Sequence, residues 1–193
     1  MKRIVLILAA GILVPQTALA WKHIYKVWAP DQIPVPYTIA EVGEDSLPNP
    51  STDSEHAMLK GYEAWFDADC STFESLYEGM TADNTPFILN EKNHVSFDDP
   101  GGDLGGSVKA VTYPISTGAV VFNQDGQKFY RYRDADIIFN DGFDWATDQE
   151  IQDGNCSNQH SIQATATHEI GHLVGLGHSC DEADACTELS LVE

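Results

Sequence analysis

The sequence predicts a mixed α/β domain in which helices cover a twisted sheet. Three observations carry that prediction. Along the chain the element signals read strand, helix, several short strands, helix. Both helical stretches show one apolar face at helical spacing. Finally, 193 residues with 42% hydrophobic content suffice for one packed core and are few for two.

The first twenty residues stand outside this fold. Lys2 and Arg3 precede an apolar run over residues 4–14. That run is about half of the ~20 residues needed to span a bilayer. Ala18-Leu19-Ala20 then gives a small-x-small cleavage pattern. Residues 1–20 are therefore expected to be a signal peptide cut before Trp21, and residues 21–193 a domain that is secreted, extracellular or periplasmic. No integral membrane segment is expected after signal removal. Thirty Asp+Glu against ten Lys+Arg leave a net charge of -20. Such a surface excludes the basic footprint of a nucleic-acid binder and argues against docking on anionic lipid.

Val35-Pro36-Tyr37-Thr38-Ile39 reads as the first strand, with proline near its start. Thr52 and Glu55 have capping-box spacing just after Pro50. The helix they open aligns Met58, Tyr62, Trp65 and Phe66 on one side and should end near 67–70. Short strands are predicted at 95–97, 108–113, 120–122, 128–132 and 135–139, with Asn123-Gln124-Asp125-Gly126 as a hairpin turn. The last helix is predicted over 161–174. Its Ile162, Ala166, Ile170 and Leu173 share the core face, which turns His168 and His172 to the opposite side.

Export makes disulfides plausible. Cys70, Cys156, Cys180 and Cys186 allow three connectivities. A local Cys180–Cys186 pair with a long-range Cys70–Cys156 tie is favoured. No Cys-x-x-Cys pair supports a cysteine metal site.

The chemistry concentrates in His168-Glu169-Ile170-Gly171-His172-Leu173-Val174-Gly175-Leu176-Gly177-His178. Histidines at i and i+4 stand one helical turn apart and can grip one ion. Zinc suits imidazole, and a catalytic zinc takes three protein ligands and keeps one position open. Gly175 can end the helix at positive φ and return the chain so that His178 supplies the third ligand. Glu169, beside the ligands, is placed to act as general base on a zinc-activated water. His23, His56, His94 and His160 lack this register and are expected at the surface or in loops.

This run resembles the zinc signature of metzincins, and the His178-Ser179 continuation is similar to that of the matrixins, the matrix metalloproteases and their bacterial relatives. Asp136-Ile137-Ile138-Phe139-Asn140 with Trp145 resembles the family's strand before the active-site helix. Phe97-Asp98-Asp99-Pro100-Gly101-Gly102, followed by 108–114, resembles its glycine-rich loop and edge strand. The resemblance implies a metzincin-like catalytic domain: a twisted, mainly parallel sheet with an antiparallel edge strand, packed with a first helix and an active-site helix. It also implies a zinc endopeptidase whose protein or peptide substrate lies extended along the edge strand near 108–112.

The glycine-rich loop is also a candidate for Ca2+, with hard oxygens from Asp98, Asp99 and Asp103; a solvated turn is the rival reading, and Asp134 and Asp141 are weaker candidates. Three departures from the family pattern shape the expectations. The methionines are Met1, Met58 and Met80, so the methionine turn that matrixins place after the third histidine is missing, and the chain is expected to be incomplete at its C-terminus. Residues 108–113 hold no histidine, so no structural zinc is expected. Nor is a cysteine-switch propeptide visible. The alternatives to a peptidase are a non-catalytic zinc- or peptide-binding module of the same fold and a calcium-dependent interaction protein. Oligomeric state and substrate identity are not specified by these patterns.

Overall fold

A computed structural model describes residues 22–66, 71–85, 89–99, 101–102 and 104–178. The chain divides into two units. His23–Gly177 is the body; of the other unit, the two chain ends, only Lys22 and His178 are among the described residues.

The elements follow one another as β1 (Lys22–His23), β2 (Lys26–Val27), a 3-10 turn at Pro30–Gln32, β3 (Val35–Ala40), α1 (Pro50–Phe66), β4 (Ser75–Thr81), β5 (Asn93–Ser96), β6 (Ala110–Gln124), β7 (Gln127–Phe139), β8 (Trp145–Ala146), α2 (Asp148–Gln152), β9 (His160–Ser161), α3 (Ile162–Leu173) and β10 (Leu176–Gly177). In the main sheet β4, β3, β5 and β7 are parallel neighbours. The short β2 joins β7 in parallel through Lys26 and Val27. Antiparallel β6 runs along β7 from Ala110 opposite Phe139 to Gln124 opposite Gln127. Because β6 occupies one edge of β7 throughout, β5 and β2 share the other edge at its two ends. The sheet is thus mainly parallel with an antiparallel edge strand.

Helix α1 begins earlier than the Thr52–Glu55 spacing predicts. Pro50 takes the first helical position, where its fixed φ suits the helix and its missing N–H costs nothing. The Asp53 carboxylate accepts the Asn49 N–H at 2.9 Å, so Asp53 rather than Glu55 is the capping acid. Glu55 instead accepts a hydrogen bond from the Tyr77 hydroxyl at 2.6 Å.

Four of the predicted strands are halves of two. Pro114 and Gly118 look like breaks, but β6 absorbs them through register shifts between Ile115 and Phe122, as an edge strand can. Asp125 and Gly126 both have positive φ, 53° and 83°, and close the predicted hairpin. Strand β4 carries no predicted counterpart.

Helices α1 and α3 lie on one face of the sheet. Tyr37, Ile39, Val95, Ile137 and Phe139 from the strands meet Ala57, Met58 and Tyr62 of α1 and Ile162, Ala166, Ile170 and Leu173 of α3 in one core. Trp145 completes it, fully buried with its ring edge against Phe139. The four apolar positions predicted for the last helix are all buried. Gly171 permits the close contact of the helices: a Cβ there would stand 2.9 Å from Trp65 Cζ2, whose indole N–H donates to Thr167 O.

Candidate functional site: a histidine cluster at the end of α3

Ser161 caps α3, accepting the Ala164 N–H at 3.0 Å, and the helix then runs without a break through His172. One turn of helix brings the Nε2 atoms of His168 and His172 to 3.1 Å, with the rings nearly perpendicular. Two imidazoles on one tetrahedral ion, each at about 2.0–2.1 Å, hold their nitrogens about 3.3 Å apart. The pair is therefore spaced as adjacent ligands. His172 Nδ1 lies 2.8 Å from Leu176 O. A carbonyl can only accept, so Nδ1 carries the proton and Nε2 keeps its lone pair for a metal.

The turn after the helix has the predicted cause. Gly175 adopts φ 100°, and a Cβ there would stand 2.5 Å from Lys26 O. Strand β10 and then His178 follow immediately. Within the body His168 and His172 each offer one ligand nitrogen; His178, the third candidate, belongs to the other unit. His168 and His172 are half-buried; His178 is exposed.

The last carbonyls of α3, which no helical turn can satisfy, find partners. The Tyr132 hydroxyl donates to His172 O at 2.9 Å and the Trp28 indole N–H to Leu173 O at 3.0 Å. Ile24 N–H donates to Gly175 O at 3.1 Å. The turn after α3 is thereby tied to β7 and to the segment around β2.

Glu169 points from the same helix but is 5% exposed. Thr112 of β6 lies against it: the hydroxyl Oγ1 is 2.7 Å from Glu169 O and 2.8 Å from Glu169 Oε2. Thr112 is a residue that sequence reasoning missed; its hydroxyl gives no local signal in a strand.

The remaining histidines divide. His56 and His23 are exposed as expected. His160 pairs in β9 and sets its ring edge against Phe143. His94 corrects the expectation of a surface or loop residue, because β5 is buried on every side. Its Nδ1 lies 3.0 Å from Thr38 Oγ1, and burial holds its pKa below the usual histidine value.

The acidic loop is divided: Gly101, Gly102, Gly105 and Gly106 are exposed to solvent, while its first two acids turn inward. Asp99 is buried and accepts the Leu104 N–H at 2.9 Å, while Asp98 is half-buried at positive φ. Asp98 stands among Glu44, Asp45 and Asp141, and burial raises its pKa. Glu44, 1% exposed, is pushed up to about 9 by its burial and by the neighbouring Asp98. Glu44 Oε1 and Asp98 Oδ1 are buried without a hydrogen-bond partner. Sequence reasoning named Asp98, Asp99 and Asp141 but not Glu44, which no motif marks. Asp134 instead accepts the N–H groups of Asn90 and Glu91 at 3.0 and 2.9 Å; Asp103 lies outside the described residues.

Cys156 is a half-buried free thiol, not joined to Cys70 as expected. Cys70, Cys180 and Cys186 lie outside the described residues, as do the leader 1–20 and the segment after His178. Among the described residues no helix is long and apolar enough to cross a membrane.

The matrixin family profile matches residues 27–189. Metalloendoproteinase 1 of Glycine max is similar, 27% identical over 139 residues that cover 69% of this chain and 38% of that protein. The chain thus spans about two fifths of that relative's length. No solved structure matches. The profile takes in well over half of the residues, including all three helices, the main strands and the histidine signature, and the chain belongs to the matrixin family.

Proposed function

We propose that this protein is a secreted zinc-dependent endopeptidase, with His168, His172 and His178 as the metal ligands and Glu169 as general base. The observation that carries this reading is the pair of Nε2 atoms at 3.1 Å, with His172 Nδ1 held against Leu176 O so that Nε2 is the nitrogen turned toward His168. Family membership supports zinc dependence and protein substrates.

Bound there, zinc supplies Lewis acidity toward a carbonyl and lowers the pKa of a water toward neutrality. Glu169 takes the proton as the water attacks and returns it to the departing amine. Strand β6 offers its outer backbone edge, unpaired among the described strands, to an extended peptide near 108–112. Residues 1–20 direct export, and the excess of Asp and Glu in the remainder is suited to solution outside the cell. Purified protein loaded with one zinc should digest casein, and phenanthroline should abolish the digestion. Cleavage that persists without metal would end this reading.

Calcium at the acidic cluster is a second part of the proposal. Two buried carboxylate oxygens without partners, one each from Glu44 and Asp98, suit a hard cation.

A further inference from the structure

We propose that Thr112 is a positioning residue that sets the orientation of the Glu169 carboxylate. The inference rests on the reading of Glu169 as general base.

The alternation of β6 decides which side chains reach α3. Ala110 and Thr112 are buried, while Val111 is half-buried and Tyr113 exposed. Thr112 faces Ile137 across the β6–β7 ladder, so its Cα is fixed by the sheet. Its branched Cβ restricts χ1, which fixes the hydroxyl as well. That hydroxyl stands 2.7 Å from Glu169 O and 2.8 Å from Glu169 Oε2, with Thr112 6% and Glu169 5% exposed. One proton serves the two acceptors in turn. Both residues are almost wholly buried, so the contact is shielded from solvent.

A general base works only when its lone pair meets the proton it removes, and an error of about 1 Å can cost ~10²-fold. A glutamate side chain reaches its target through three torsions. A fixed hydroxyl donor beside one carboxylate oxygen removes much of that freedom. Thr112 also belongs to the stretch of β6 proposed to pair with substrate. One strand segment then aligns both the peptide and the base that acts on it.

The test compares Thr112→Val, which keeps the shape and removes the donor, with Thr112→Ser, which keeps the donor. Thr112→Val should lower kcat about tenfold with KM within about twofold, and Thr112→Ser should restore most of kcat. Zinc content should stay stoichiometric in both. The second readout needs no activity. In metal-free protein, the unfolding midpoints of Thr112→Val, Glu169→Gln and the double variant should be non-additive. Additive midpoints, or a normal kcat for Thr112→Val where Glu169→Gln is inactive, would overturn the proposal. A wild-type protein without zinc-dependent cleavage would refute the peptidase reading, and the midpoints would still decide the Thr112–Glu169 contact.

Discussion

At the scale of single residues, the proposed roles separate between holding metal and moving protons. Glu169→Ala leaves all three imidazoles in place, so zinc should stay bound while turnover falls by roughly 10²–10⁴-fold. Metal analysis beside casein assays reads both. His178→Ala leaves two histidines, too few for a stable catalytic site, and zinc affinity should fall steeply. Gly175→Val should do the same by another route, since φ 100° and a carbonyl 2.5 Å from the new Cβ leave no room for a side chain. At Gly171 the obstacle is the Trp65 ring, 2.9 Å from a new Cβ. Gly171→Ala should destabilise by about 1–3 kcal/mol in chemical denaturation, the usual cost of overpacking.

At the scale of elements, what was legible in the sequence was local. Helix α3 announces itself through four apolar positions and a terminating glycine, each read from neighbours within a few residues, while its Ser161 cap emerges from the structure. The histidine register comes with it, since i and i+4 need only a helix. Strand β4 was not legible because it is the outer strand beside β3, half-exposed, with Gly79 at positive φ inside it. Nothing in its pattern distinguishes it from a loop. Strand β6 looked like two pieces because Pro114 and Gly118 weaken a strand locally, whereas its continuous partner β7 carries them through; β7 itself looked divided because charged Arg133-Asp134 interrupts its apolar pattern. Glu44 and Thr112 were invisible for the opposite reason. Their significance lies wholly in partners distant in the chain, Asp98 and Glu169. The far end of the β6–β7 hairpin rests on Phe129, with Phe122 stacked at 4.5 Å and the edges of His23 and Tyr25 beside it. Phe129→Ala should loosen that end first. Limited proteolysis of the variant should cut within 116–128 ahead of the rest of the body.

At the scale of the molecule, buried acid makes stability depend on pH and on cations. Glu44 titrates near 9 in the folded protein against an ordinary 4.5. Folding therefore favours its protonated form. The associated stability is complete below about 4.5 and is lost as pH rises through about 9. The melting temperature should fall across this window, Glu44→Gln should remove much of the slope, and calcium should flatten it by neutralising the cluster. Thermal unfolding at a series of pH values, with and without calcium, checks all three. The ties at the end of α3 have a mechanical consequence. Trp28 and Ile24 hold the carbonyls of Leu173 and Gly175, the residues that frame the turn between His172 and His178. A change at either donor leaves a carbonyl of that turn without its partner, so the turn after α3 is only as firm as the segment at residues 24–28 that holds it.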